Sequence, residues 1–166
     1  MDNALIVVGA RLNSSRLPAK HLLPLAGKPL IERVFQRLET LPYKAVLATT
    51  DDEYNTPLVT WADETDHHCF AYTGDVDNLI GRVNSVVEQH NPDYVIYICG
   101  DCPLIDPTLI SQGLEVLKLA PRHESAEVKP DNKGRKTIHE GIHLYSRKGW
   151  EKLVQYSDTA LFKEHI

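Results

Sequence analysis

A short stretch near the amino terminus has the residue types needed to hold a polyphosphate. Arg11, Arg16 and Lys20 carry positive charge, Ser14 and Ser15 add hydroxyls, and Gly9 lets backbone come close to a ligand. The chain has a formal net charge of -5, yet no acid falls between Asp2 and Glu32. Arginine gives forked hydrogen bonds to phosphate oxygens and lysine a point charge, so the set can neutralise several oxygens at once. On charge alone, a solvated basic loop fits equally well. Far downstream, Asp101 follows Gly100 in the string Gly100-Asp101-Cys102-Pro103. A carboxylate at such a turn suits Mg²⁺, which accompanies polyphosphates and prefers carboxylate and water oxygens. The same short string also suits a helix cap or turn residue.

These residues need elements to bring them together, and hydrophobic periodicity supplies them. Ala4 to Val8 reads as a short buried strand and Pro29 to Leu38 as an amphipathic helix, so the cationic stretch is a strand-to-helix loop. Lys44 to Thr49 reads as a second strand, Asn55 to Glu64 as a weak helix with Pro57 in its first turn, and Cys69 to Tyr72 as a third strand. A helix is expected over Asp77 to His90, where Leu79, Ile80, Val83, Val86 and Val87 recur at helical spacing. The fourth strand, Tyr94 to Ile98, is β-branched and aromatic throughout, and Asp106-Pro107 opens a helix to about Leu119. Pro121 to Lys136 looks like a polar surface excursion, Gly141 to Tyr145 a strand, and Arg147 to Tyr156 a last helix. Alternating strands and helices predict right-handed crossovers, a parallel sheet, and a ligand over the carboxyl ends of the first and fourth strands.

The order of residues goes further than their charge. Arg-x-x-x-Ser-Arg-Leu-Pro-x-Lys, followed by Leu-Pro-Leu-Ala-Gly-Lys-Pro-Leu-Ile, resembles the opening of the cytidylyltransferases that activate sugars as CMP-sugars. That family includes the CMP-KDO and acylneuraminate synthetases, and this chain is most similar to the spore-coat polysaccharide biosynthesis protein F branch. Gly-Asp-Cys-Pro-Leu-Ile-Asp-Pro resembles the family's second motif. The resemblance implies a Rossmann-like, GT-A-like nucleotide-diphospho-sugar transferase fold, an α/β three-layer sandwich with a mainly parallel sheet. It implies transfer of a nucleotidyl group from CTP to a sugar or sugar acid with release of pyrophosphate, for surface polysaccharide. Arg11, Arg16 and Lys20 then hold the triphosphate, and Asp101 holds Mg²⁺, these four being the catalytic set. Gly9, Ala10, Ser14, Ser15, Thr49, Thr50, Arg82 and Gly100 complete the nucleotide site, with backbone near Ala10 and the Thr49-Thr50 segment approaching the base. Asp106 is a secondary candidate that reads better as a helix cap. The resemblance also implies a homodimer.

The 166 residues fit a single domain, and 42% hydrophobic content with mixed charge suits a soluble, cytoplasmic protein. No run is long enough for a membrane span, and cations confined to one loop argue against nucleic acid. In that family a second metal-binding aspartate lies beyond the position of Ile166. A catalytically weak nucleotide or CMP-sugar binding module is therefore the alternative. Three cysteines do not make a disulfide framework. Cys99-Gly100-Asp101-Cys102 is formally C-x-x-C, but Cys99 continues a strand instead of opening a helix, and no second pair exists for zinc. His139-Glu140-Gly141-Ile142-His143 matches H-E-x-x-H, but the segment reads as strand, which places the two histidines about 13 Å apart.

Overall fold

The computed structural model describes residues 3–127 and 141–157. In it, Ala4–Gly9 forms β1, buried along its whole length because both of its faces are covered. Strand β4 (Lys44–Thr50) pairs with it on one side and β6 (Tyr94–Cys99) on the other, both parallel, and β5 (His68–Tyr72) extends the sheet beyond β4. The sequence's fourth strand is thus β6, because a small hairpin adds β2 (Pro24–Leu25) and β3 (Lys28–Pro29). That hairpin turns through Ala26 and Gly27, both at positive φ, the turn geometry that matches strand twist.

Side chains alternate across the sheet. Ala4, Ile6 and Val8 of β1 face α1 (Leu30–Leu38), α2 (Thr56–Glu64) and α4 (Pro107–Leu119), together with Ile96 and Ile98 of β6. Leu5, Val7, Val46, Ala48, Val95 and Tyr97 face α3 (Leu79–His90) and α5 (Arg147–Tyr156). The result is the expected three-layer sandwich. Trp150 of α5 is fully buried there, and its indole N–H donates to Asn84 Oδ1 of α3 at 2.9 Å.

The sheet order is β5-β4-β1-β6-β8-β7. Strand β8 (Ile142–Ser146) runs antiparallel to β6, so the sheet is mainly parallel rather than wholly so. Strand β7 (Ser125–Glu127) lies within what the sequence suggests is a purely polar excursion; its ladder with β8 overrides its polar composition. Residues 128–136 of that excursion, the terminal segment Leu161 to Ile166, and His139 and Glu140 lie outside the described residues. Helix starts also shift. Pro29 and Asn78 sit at N-caps, the latter accepting from Gly81 N–H, while Asp106 caps α4 by accepting from Thr108 N–H at 2.8 Å. Among the described residues no helix is long and apolar enough to cross a membrane.

Candidate active site

From β1 the chain winds outward through β4 to β5 by way of α1 and α2 on one face. It then returns through α3 on the other face to place β6 against the opposite side of β1. This reversal opens a crevice at the carboxyl ends of β1 and β6, where Gly9 lies beside Cys99. A Cβ on Gly100 would come within 2.7 Å of the Gly9 carbonyl, and the Gly100 N–H donates to that carbonyl at 2.8 Å, so only glycine fits in this floor.

The cationic loop is tied down at both ends. Ala10 N–H donates to Ala48 O at 3.2 Å, Leu12 N–H to Asn55 Oδ1 at 2.7 Å, and Ala19 N–H back to Leu12 O at 2.9 Å. Asn55 is fully buried, and its amide also donates to Thr50 Oγ1 at 2.8 Å and Asp52 Oδ2 at 2.9 Å. Ala19 takes a left-handed φ of 55°, a conformation alanine resists, at the turn that delivers Lys20 into the crevice.

The resulting cleft has a volume of about 410 Å³. Of the residues expected from the sequence, Gly9, Ala10, Arg11, Ser14, Ser15, Arg16, Lys20, Arg82 and Asp101 line it. Thr49, Thr50 and Gly100 do not. Both threonines are buried, and the Thr50 hydroxyl is used up in donating to Asp52 Oδ2 at 2.6 Å and accepting from Asn55, so this segment anchors the loop and is not a wall of the cleft.

Two ion pairs hold the walls together. Arg11 Nη1 donates to Asp77 Oδ1 at 2.6 Å and to the Val76 carbonyl at 3.2 Å, spanning the cleft to the loop before α3. Lys20 Nζ donates to Asp101 Oδ2. Burial works to raise the Asp101 carboxyl, but the Lys20 hydrogen bond and charge outweigh it and hold the group below its ordinary value. Arg16 is exposed in the cleft and has no hydrogen bond or ion pair among the described residues.

Two further groups are nearly fully buried yet reach the cleft wall. His21, 4% exposed, has its imidazole driven down to about 4 by burial and by the Lys20 charge, so it is neutral, and its Nδ1 has no partner among the described residues. Arg82 is also only 4% exposed; its Nε and Nη1 have no partner among the described residues, and burial lowers its pKa. A buried guanidinium with orphaned donors is expensive in the free protein and calls for an anion or carbonyl in the cleft.

Sequence reasoning did not identify His21, Asp77 or Tyr97 as lining residues. Tyr97 could have been found from Cys99, since residues two apart on β6 share a face. A Cβ on Gly9 would meet the Tyr97 hydroxyl at 2.5 Å, so the ring lies directly over the end of β1. His143 lies in β8, stacked near Tyr97 at 6.1 Å between ring centroids, in strand geometry and not on a helix. Among the described residues no group of three or more His, Cys, Asp or Glu side chains is placed to hold a metal. Asp101 remains a single hard oxygen donor. That suits Mg²⁺, which commonly takes one or two carboxylates and completes its shell with phosphate and water.

A mainly parallel α/β sandwich whose switch point is lined by guanidiniums, an ammonium and one carboxylate defines an α/β domain built to receive an anion. More particularly, the chain belongs to the cytidylyltransferase family, whose model matches residues 5–165. It is 32% identical over 123 residues to the 3-deoxy-manno-octulosonate cytidylyltransferase of Nitrosococcus oceani, an alignment covering 73% of this chain and 47% of that protein. The chain thus spans about half the length of the curated relatives it matches. Among solved structures, a cytidylyltransferase of Leptospira borgpetersenii superposes with a TM-score of 0.84 at 22% identity, over 99% of this chain and 69% of that one. A CMP:2-keto-3-deoxy-manno-octonic acid synthetase in complex with CTP superposes with a TM-score of 0.75 at 22% identity, over 96% and 80%.

Proposed function

We propose that this chain carries the nucleotide site of an enzyme that transfers a cytidylyl group from CTP to a sugar acid, releasing pyrophosphate and yielding a CMP-sugar for surface polysaccharide. The observation that carries the reading is the convergence of Arg11, Arg16, Lys20 and Asp101 on one cleft, from positions as far apart as β1 and β6. The relative from Nitrosococcus, named for an eight-carbon sugar acid, supports a sugar acid as acceptor.

In the reaction, an acceptor hydroxyl oxygen bonds to the α-phosphorus of CTP and releases its proton to solvent as the bond to the bridging oxygen breaks, so pyrophosphate leaves with the electron pair. Arg16, with no hydrogen bond or ion pair among the described residues, receives phosphate without giving anything up. Arg11 and Lys20 each exchange a carboxylate partner for phosphate oxygens, which keeps both cations neutralised before and after binding. Asp101 would hold Mg²⁺, whose charge would offset that building on the phosphates. Arg82 and the backbone at Gly9 and Ala10 bound the nucleotide on the other side, and neutral His21 stiffens the wall between Lys20 and Arg82 without adding charge. Catalysis of this kind rests on positioning and electrostatics.

The test is pyrophosphate release from CTP with Mg²⁺ and a panel of eight- and nine-carbon sugar acids, with thermal unfolding measured alongside. Release that requires both CTP and one acceptor is expected. Stabilisation by CTP with no release for any acceptor would leave only a binding module. No stabilisation by any nucleoside triphosphate would end the reading.

A further inference from the structure

The C-x-x-C string is not absorbed by nucleotidyl transfer, and its geometry is specific. Cys102 N–H donates to Cys99 O at 3.1 Å, a tight turn that keeps the two Cα atoms within about 7 Å, inside disulfide reach. Gly141 packs on the turn, accepting from Cys99 N–H at 3.0 Å, and a Cβ built on it would lie 3.0 Å from Cys102 Sγ and 3.1 Å from Cys99 Sγ. Both sulfurs therefore surround one point, under a residue whose lack of a side chain, at a φ of +100°, leaves room for them. Cys99 lines the cleft, so a small molecule can reach it, and all three cysteines are thiols. Asp101 lies within the same turn, with Cys102 Sγ 3.9 Å from its Oδ1.

We propose that Cys99 and Cys102 form a reversible dithiol site in the floor of the cleft, oxidised to an intramolecular disulfide by small-molecule disulfides that enter where the nucleotide binds. Cys99 sulfur, giving up its proton, attacks one sulfur of the disulfide, and the first thiol leaves carrying that proton. Cys102 sulfur then attacks Cys99 sulfur in the mixed disulfide, and the second thiol leaves with the second proton. The protein loses two hydrogens and the reagent gains them. The backbone turn already brings the two residues together. The closed bond ties down the turn that carries Asp101, placing the candidate metal ligand under control of the thiol redox state. The part played by the cleft rests on the CTP reading above, whereas the dithiol chemistry does not.

The test is incubation of the full chain with glutathione disulfide, acid quenching, and intact-mass and peptide mapping. Wild type should lose two hydrogens, show a Cys99–Cys102 linked peptide and revert with dithiothreitol. Cys102→Ser should instead retain one glutathionyl group on Cys99, and Cys99→Ser should show neither product. Wild type that keeps both thiols alkylatable, or carries a persistent glutathionyl group without the linked peptide, would overturn the proposal. So would reaction confined to Cys69, whose thiol burial pushes up to about 11. With CTP and Mg²⁺ present, oxidation should slow several-fold. A linked peptide formed at the same rate with and without CTP would sink the CTP reading and leave the dithiol site standing.

Discussion

Replacing Arg82 by methionine should make the protein more stable and the cleft less useful, two effects of opposite sign that arise from one side chain. The guanidinium is 4% exposed, forms no ion pair among the described residues, and leaves Nε and Nη1 without partners. Each orphaned donor costs about 1–3 kcal/mol, and a buried unpaired charge costs several more before relaxation. Methionine keeps most of the length of the side chain while removing the charge. Exchanges of buried charge for apolar residues stabilise by about 1–4 kcal/mol, and each kcal/mol raises the unfolding midpoint of a chain this size by about 2–4 °C. Loss of a charged hydrogen bond to the nucleotide costs about 1.5–3 kcal/mol, which is about ten- to a hundredfold in Kd. Scanning calorimetry without ligand and a CTP titration measure the two effects separately. If Arg82→Met unfolds at a lower temperature than the parent, the guanidinium is not uncompensated as argued. Unchanged CTP affinity would show that it does not face the ligand.

The other predictions separate chemistry from stability. Asp101→Asn should cut pyrophosphate release by orders of magnitude and leave the fold nearly unchanged, because the Lys20–Asp101 pair is partly exposed and such pairs contribute no more than about 1 kcal/mol. A loss of folding matching the loss of activity would contradict this. His21 has a folded-state pKa of about 4, below its unfolded value, so between about 4 and 6.5 the unfolded chain binds the extra proton and stability falls as pH falls. His21→Gln should therefore lose about 2 kcal/mol less than wild type between pH 7 and pH 5 in urea titrations, and equal losses would refute burial of the neutral imidazole. Gly100→Ala places a methyl against the Gly9 carbonyl at 2.7 Å, backbone that cannot swing aside. It should cost about 1–3 kcal/mol and weaken CTP binding, whereas a neutral result in both assays would mean that the floor yields.

The fold class and the main helices and strands follow from local pattern. β1, β6 and residues 45–48 of β4 are continuous apolar runs because strands inside the sheet are covered on both faces, and α3 shows its buried stripe in Ile80, Val83, Val86 and Val87. The cationic loop and the acid after β6 are likewise legible, since each is a short run whose residues sit next to one another in sequence.

Tertiary structure decided the rest, because periodicity shows which face a residue takes and not what lies opposite it. The strand expected to end at Thr49 runs on to Thr50, and Asn55, at the N-cap of α2, claims the Thr50 hydroxyl and turns the segment into an anchor. Asp77 reaches Arg11 across 66 positions, and Arg82 is buried only because α3 packs against the sheet beside Tyr97. The sequence alone determined which residues could hold a polyphosphate. Strand order, which sets β6 beside β1, decided that they share one cleft and which neighbours line it with them.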